Sequence, residues 1–293
     1  MKQILKNILT WNRYPKNSIY SDKCTLPLDQ WIWLNTEGAF QNKHLRQFIC
    51  PFPPKDLMFR VSGLNNDQDF ARHGADFFSA LSNAAPKKLD EYSQILDFGC
   101  GCGRLLRMFC GHQGKIFGCD IDNDHIEWIK KNLDFVSASC SKPTPPLPYP
   151  DRYFDAIISI SVFTHLNETS QIMFLNELLR ISKPETHLFL TIHGETALKR
   201  SIEDDKLFNF LNVDKILFDT GISQFNKGEY VFIPQKEHHL TTHEYEYGIT
   251  FIPSAYLLEE WSTNFEILSI HTGAIHDWQD IVVLKPRENL RKP

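Results

Sequence analysis

Residues 95–104 read ILDFGCGCGR, with Gly99, Gly101 and Gly103 at alternate positions behind Asp97. A strand gains no packing from glycine, and each glycine inside a helix costs about 1 kcal/mol relative to alanine. The run therefore marks a place where the backbone turns tightly and something approaches it closely. SQILDFG before it is a short buried strand. GRLLRMFCGH after it reads as a helix ended near Gly111. A glycine loop between a strand and a helix is where a doubly wound α/β sheet holds its ligand.

The same alternation continues outward. KIFGCDI is a second strand, and DHIEWIKKNL a second helix with Asp122 or Asp124 as cap. DFVSAS is a weaker third strand and FDAIISIS a strong fourth. ETSQIMFLNELLRIS is an amphipathic helix, and THLFLTIH a fifth strand. Upstream, NNDQDFARHGADFFSALSNA reads as a helix capped by Asp67 or Asp69, with Phe70, Phe77, Phe78 and Leu81 on one side. Strands alternating with helices imply right-handed crossovers and a parallel sheet covered on both faces. The rhythm breaks at Gly194. YVFIP and HEYEYGITF suggest short strands or a hairpin, and SAYLLEEWSTNF a helix. FEILSIH and DIVVLKP are joined too briefly for a crossover helix, so they pair antiparallel.

Composition narrows the function classes. Of 293 residues, 42% are hydrophobic and 23% charged, as in an ordinary soluble globular protein. The net charge is −5 and no block of Lys and Arg tracks phosphates, so nucleic acid is not the expected partner. The seven cysteines include no CxxC pair and read as reduced thiols in a cytoplasmic protein. No metal is expected, because Cys100 and Cys102 cannot complete a tetrahedral site and the histidines of EHHLTTHEYEY read as a solvated loop. MKQILKNILTW is too short for a signal-peptide core or a membrane span. Its Ile4, Leu5, Ile8 and Leu9 would form one face of a short packed helix. CPFPPKD reads as an extended connector.

Two acids give the glycine loop its chemistry. The dinucleotide fingerprint GxGxxG would place glycine at 104, where Arg104 stands. Asp120 ends the second strand, where an acid accepts hydrogen bonds from both ribose hydroxyls. Asp97 lies just ahead of the loop. It would repel a pyrophosphate but suits a ligand with an ammonium group. A ribose, an α-ammonium and a sulfonium together describe S-adenosylmethionine, which this charge pattern favours over NAD.

ILDFGCGCGR, IFGCDID, PPLPYPDRYFDAIISISVFTHL and LLRISKPETHLFLTIHG resemble the successive motifs of class I S-adenosylmethionine-dependent methyltransferases of the small-molecule type, over roughly residues 58–285. The resemblance implies a Rossmann-like sheet of seven mainly parallel strands with an antiparallel last strand. Residues 1–58 read as an irregular or helical arm, and the methyltransferase domain would follow at 59–293. An insert at 195–252, too short and polar for a core of its own, would cover the acceptor pocket. By resemblance Asp97, Gly99 and Gly101 hold the methionine end, Asp120 the ribose, and Ile121 packs on the adenine. Cys100 and Arg104 in the loop and Ser161 beyond the fourth strand join this set. The family's acid after the third strand is missing, and Ser139 or Cys140 would substitute. Arg60 would pair with the cofactor carboxylate or form an ion pair within the protein. His165 and His193, at the ends of neighbouring strands, would act as general bases or shape the acceptor pocket. His271, His276 and Gln279 flank the last link, at the same edge. The expected activity is methyl transfer to O or N of a small molecule such as a sugar, peptide or secondary metabolite. The alternative is a non-catalytic module that binds S-adenosylmethionine or S-adenosylhomocysteine.

Overall fold

The computed structural model describes residues 26–235 and 246–287. The short helix expected at Ile4–Leu9 and the histidines at 238, 239 and 243 lie outside them. Nine strands are present among the described residues: β1 (Gln94–Phe98), β2 (Lys115–Asp120), β3 (Val136–Cys140), β4 (Phe154–Ser159), β5 (Ser182–Ile192), β6 (Val231–Pro234), β7 (Gly248–Phe251), β8 (Phe265–Ile275) and β9 (Gln279–Pro286). Seven of them form one sheet in the order β3-β2-β1-β4-β5-β9-β8. β1 to β5 are parallel, while β9 runs antiparallel to both β5 and β8. The expected fold, with its reversed final strand, is the observed one.

The sheet is buried on both faces because its apolar residues alternate between two cores. Ile95, Ile158, Phe189 and Val283 point into one. Leu96, Ile157, Leu190 and Val282 point into the other. Period-two geometry sends neighbours to opposite sides, so continuous apolar runs such as AII and LFL fit only a sheet with helices on both faces. Among these helices are α1 (Leu28–Trp33), α2 (Lys55–Ser62), α3 (Asp67–Ala84), α4 (Asn123–Asn132) and α5 (Glu168–Ile181). Asp122 caps α4 by accepting from the amides of Asp124 and His125. For α3 the cap is Asn66, which accepts from the Asp69 amide, rather than either aspartate. Both aspartates instead sit in the first turn, where the helix dipole favours negative charge.

The helix expected after the glycine loop is reduced to a 3-10 turn at Leu106–Phe109. Gly103 and Gly111 both have positive φ. Only seven residues remain between them, too few for a stable α-helix. The segment is held by the N-terminal arm instead. Trp31 Nε1 donates to the Met108 carbonyl at 2.9 Å. Arg107 is fully buried and donates to the carbonyls of Cys50 and Pro51 at 2.8 and 2.9 Å. Its guanidinium lies 3.7 Å from the centre of the Phe52 ring. Trp31, Leu34, Phe48 and Ile49 share the main core, and α2 runs across residue 58. The described part of the arm is thus continuous with the domain.

The stretch after Gly194 contains three helices that the sequence reading did not separate: α6 (Glu195–Glu203), α7 (Asp205–Leu211) and α8 (Lys215–Phe225). The β6–β7 hairpin follows them, as expected. Contrary to the expectation of a coreless insert, Leu198, Leu211, Phe218, Phe225, Ile233 and Phe251 form an apolar cluster of their own. The available signals were Asp204 and Asp214, each of which caps the helix that follows it. The helix α9 (Ser254–Glu259) then leads into the closing strands.

Arg107→Ala removes the donor from the buried Cys50 carbonyl and from that of Pro51, and takes away the partner of Phe52. It should lower unfolding free energy by about 2–4 kcal/mol, since unsatisfied buried groups cost about 1–3 kcal/mol each. Urea denaturation of the two proteins measures this directly.

Candidate functional site

A cleft of about 1300 Å³, counting its open mouth, lies across the carboxyl ends of β1, β2 and β4. The order of the strands reverses at β1, and a doubly wound sheet leaves a crevice there. The glycine loop forms one wall. Its φ angles are 75° at Gly99 and 50° at Gly101, a region L side chains rarely adopt. A Cβ on Gly99 would sit 2.2 Å from Val162 Cγ2. The amides of Gly99 and Cys100 both donate to the Cys119 carbonyl, at 2.9 and 3.1 Å. The Gly101 amide donates to Asp120 Oδ2 at 2.8 Å. The loop is thus tied at three points to the end of β2.

The structure brings Asp97, Gly99, Cys100, Gly101, Arg104, Asp120, Ile121, Ser161, Arg60 and His165 to this cleft. Asp97 is buried, and its carboxyl makes no hydrogen bond to another described residue. Burial and the neighbouring Asp120 raise its pKa to about 7, with Arg104 opposing them. Burial lowers the Arg104 pKa to about 10. Its guanidinium lies 4.4 Å over the Phe77 ring. It forms no hydrogen bond or ion pair to another described residue. A buried carboxyl and a half-buried guanidinium, neither with a side-chain hydrogen-bond partner among the described residues, suit a zwitterionic ligand with ammonium and carboxylate ends. The Cys100 thiol is pushed far up by burial and by Asp120, so it is a packed filler and not a nucleophile.

Asp120 already accepts from Gly101 through Oδ2 and from the Asp122 amide through Oδ1, at 2.8 and 2.9 Å. Each carboxylate oxygen has further lone pairs for ribose hydroxyls. Arg60 is not aimed at a ligand carboxylate. Its two ends donate to Asp122 at 2.8 Å and Asp124 at 3.0 Å, the ion-pair alternative. Arg104, beside Asp97, takes its place as a cation facing the cleft. Ser139 does not line the cleft, since it lies within β3 in register with Cys119. Ser141, Lys142 and Pro143, just beyond that strand, line the end near Ile121 instead. Ser161 has φ 59°, and its amide donates to Thr191 Oγ1 at 2.8 Å. Its hydroxyl pairs with the Gln279 side chain.

The two histidines have different roles. His165 lines the cleft and donates from Nδ1 to the Gly248 carbonyl at 2.8 Å. That leaves Nε2 as an acceptor without a partner among the described residues. Burial lowers its pKa to about 4. His193 is not among the cleft-lining residues. Its Nδ1 donates to the Thr250 carbonyl at 3.1 Å, and its Nε2 accepts from Trp278 Nε1 at 2.9 Å. Both ring nitrogens are used inside the fold, so the expectation of a base or acceptor contact there is corrected. His271 and His276 also turn elsewhere, to Ser269 and Asp76.

Strand β7 is fastened behind the cleft, which the chain reaches through Tyr247. Thr250 donates its amide to the Thr164 carbonyl at 2.9 Å, and Ile252 to that of His193 at 2.9 Å. Tyr247, just ahead of β7, stacks on His165 with ring centres 4.6 Å apart and planes 14° apart. Tyr247, Phe174, Leu166 and His125 line the cleft without having been singled out in the sequence. Tyr247 and His125 carried no signal beyond residue type, because their placement depends on pairings between distant segments.

Residues 95–185 match the methyltransferase domain family. Together with the sheet order and the loop, this places a class I S-adenosylmethionine-dependent methyltransferase domain in the chain. The chain is 29% identical over 137 residues to the human "Probable tRNA methyltransferase 9B", covering 44% of this chain and 29% of that protein. It is 30% identical over 139 residues to the "Ubiquinone/menaquinone biosynthesis C-methyltransferase UbiE" of Francisella tularensis subsp. novicida, covering 43% and 52%. It therefore spans between under a third and about half of these relatives' lengths. In fold it is similar to the PH0226 protein from Pyrococcus horikoshii OT3, with TM-score 0.52 and 15% identity over 76% of this chain and 93% of that one. The domain's cofactor is S-adenosylmethionine, and the pair Asp97 and Arg104 fits the two charges of its amino-acid end.

A ligand ammonium beside Asp97 would need that carboxyl ionised. As pH falls through about 7 the free protein takes up a proton there, which binding must expel. The Kd for S-adenosylhomocysteine should therefore rise about tenfold between pH 8 and pH 6. In Asp97→Asn that slope should vanish. Calorimetry at the two pH values measures both.

Proposed function

We propose that this protein transfers the methyl group of S-adenosylmethionine to an oxygen or nitrogen of a small, largely apolar acceptor. The observation that carries this reading is the continuation of the cleft beyond the glycine loop. There it is walled by Val162, Leu166, Phe174 and Tyr247, with His165 as a polar group among them. Bound at the loop, S-adenosylmethionine supplies an activated methyl carbon.

The chain's own residues do the rest. Asp97 and Arg104 hold the amino-acid end, and Asp120 accepts from the ribose. His165 Nε2 accepts a hydrogen bond from the O–H or N–H of the acceptor, fixes its lone pair toward the methyl carbon, and takes up that proton as the acceptor loses it, passing it on to solvent. Positioning of this kind can supply most of the acceleration. The apolar walls exclude water, which would otherwise solvate the acceptor atom. They favour an apolar secondary metabolite over a sugar or a peptide. The relatives named for tRNA point to a nucleic-acid acceptor, but the acidic balance of this chain does not supply a phosphate-tracking surface.

The test is labelled methyl transfer from S-adenosylmethionine into a small-metabolite extract and, separately, into total tRNA. Label in the metabolite fraction, on O or N by mass spectrometry, is the expected result. Label in tRNA, or on carbon, overturns the acceptor class. Tight binding of S-adenosylhomocysteine with no transfer to any fraction favours the non-catalytic module.

With a pKa near 4, His165 stays neutral across pH 5–9. At saturating cofactor the turnover of the wild type should show no acid limb near pH 6.5. His165→Ala should lower turnover by about 10²-fold, near the low end for a lost proton-handling group. Pre-steady-state and steady-state rates across pH 5–9 check both statements.

A further inference from the structure

His125 occupies the third position of α4 and lines the cleft beside the ribose acid. Its side chain is 5% exposed. Neither ring nitrogen has a hydrogen-bond partner among the described residues. A buried, unpartnered imidazole is costly, because each lost hydrogen bond to water goes unreplaced. The ring does not simply lack neighbours. Nδ1 lies 3.9 Å from Asp120 Oδ1 and 3.7 Å from Asp122 Oδ2. Both distances are too long for a hydrogen bond. They are the span that one hydroxyl oxygen bridges when two contacts of about 2.8 Å meet near a right angle.

We propose that His125 is a second ribose-binding residue. Its Nδ1–H donates to a ribose hydroxyl oxygen, and that hydroxyl donates its own proton to Asp120. The hydroxyl is thereby used as donor and acceptor at once, and the imidazole gains the partner that the protein does not give it. Asp120 alone offers only acceptors, so it cannot satisfy the oxygen's lone pairs. Asp120 is also drawn upon by the amides of Gly101 and Asp122. A donor from the neighbouring helix turn completes the site. Arg60 holds Asp122 at 2.8 Å and so keeps the turn that carries His125 in place. This role rests on the reading that S-adenosylmethionine binds with its ribose at Asp120.

The experiment compares wild type, His125→Leu and His125→Asn by calorimetry. The ligands are S-adenosylhomocysteine and its 2′-deoxy and 3′-deoxy analogues. Leucine keeps the bulk without the donor, and asparagine places an amide N–H near the Nδ1 position. The expected result is a 10- to 30-fold weaker Kd for S-adenosylhomocysteine in His125→Leu, with His125→Asn within about threefold of wild type. One deoxy analogue, lacking the contacted hydroxyl, should bind wild type and His125→Leu alike. An unchanged Kd for S-adenosylhomocysteine in His125→Leu overturns the role of His125 while leaving the cofactor site intact. An equal loss for all three ligands overturns it as well, since it shows a packing role. Wild type that binds no S-adenosylhomocysteine overturns the cofactor reading itself.

Discussion

The loop from Gly99 to Gly103 is held open by its attachment to β2, and the site depends on that attachment. Two amides converge on the Cys119 carbonyl and a third on Asp120. Backbone with φ near +75° and +50° is accessible to glycine at little cost and strained for other residues. The result is a wall of bare backbone beside a buried acid. Val162 fills the space that a Cβ at Gly99 would need. The same packing therefore fixes the loop and the adjoining wall of the cleft.

Charge is arranged before any ligand arrives. Asp97 is buried and Arg104 half-buried, and desolvation opposes the charged form of each. They oppose one another's shifts, which keeps both from neutralising fully. A ligand with complementary charges recovers part of what desolvation costs the free protein. His125 repeats the pattern with polarity in place of charge. At the opposite end of the cleft the histidines divide their functions. His193 is spent inside the fold between Thr250 and Trp278, and it anchors the β7 strand. His165, held by Gly248 of that strand, presents Nε2. One histidine thus builds the wall against which the other is oriented.

The strand–helix alternation and the glycine loop were legible in the sequence because each rests on local periodicity and turn chemistry. So were the acids at 97 and 120, whose meaning comes from their offset to the loop. The antiparallel closing pair followed from a link too short for a crossover. Local signals failed where long-range packing decides. The segment after Gly103 lost its helix because glycines bound it at both ends and Arg107 ties it to the distant arm. The helices α6 to α8 were hidden by short windows, although Asp204 and Asp214 marked two of their starts.

By itself the sequence determined the sheet, the cofactor loop and the two acids, since these are encoded within runs of ten to thirty residues. Tertiary structure decided which polar groups remain available. It paired Arg60 with Asp122 and Asp124 and left Arg104 facing the cleft. It used both nitrogens of His193 and one of His165. It laid Tyr247 on His165 and left His125 without a partner beside Asp120. A hydrogen bond between residues 83 positions apart leaves no periodic trace in either segment. It is set only when the strands that carry them come together.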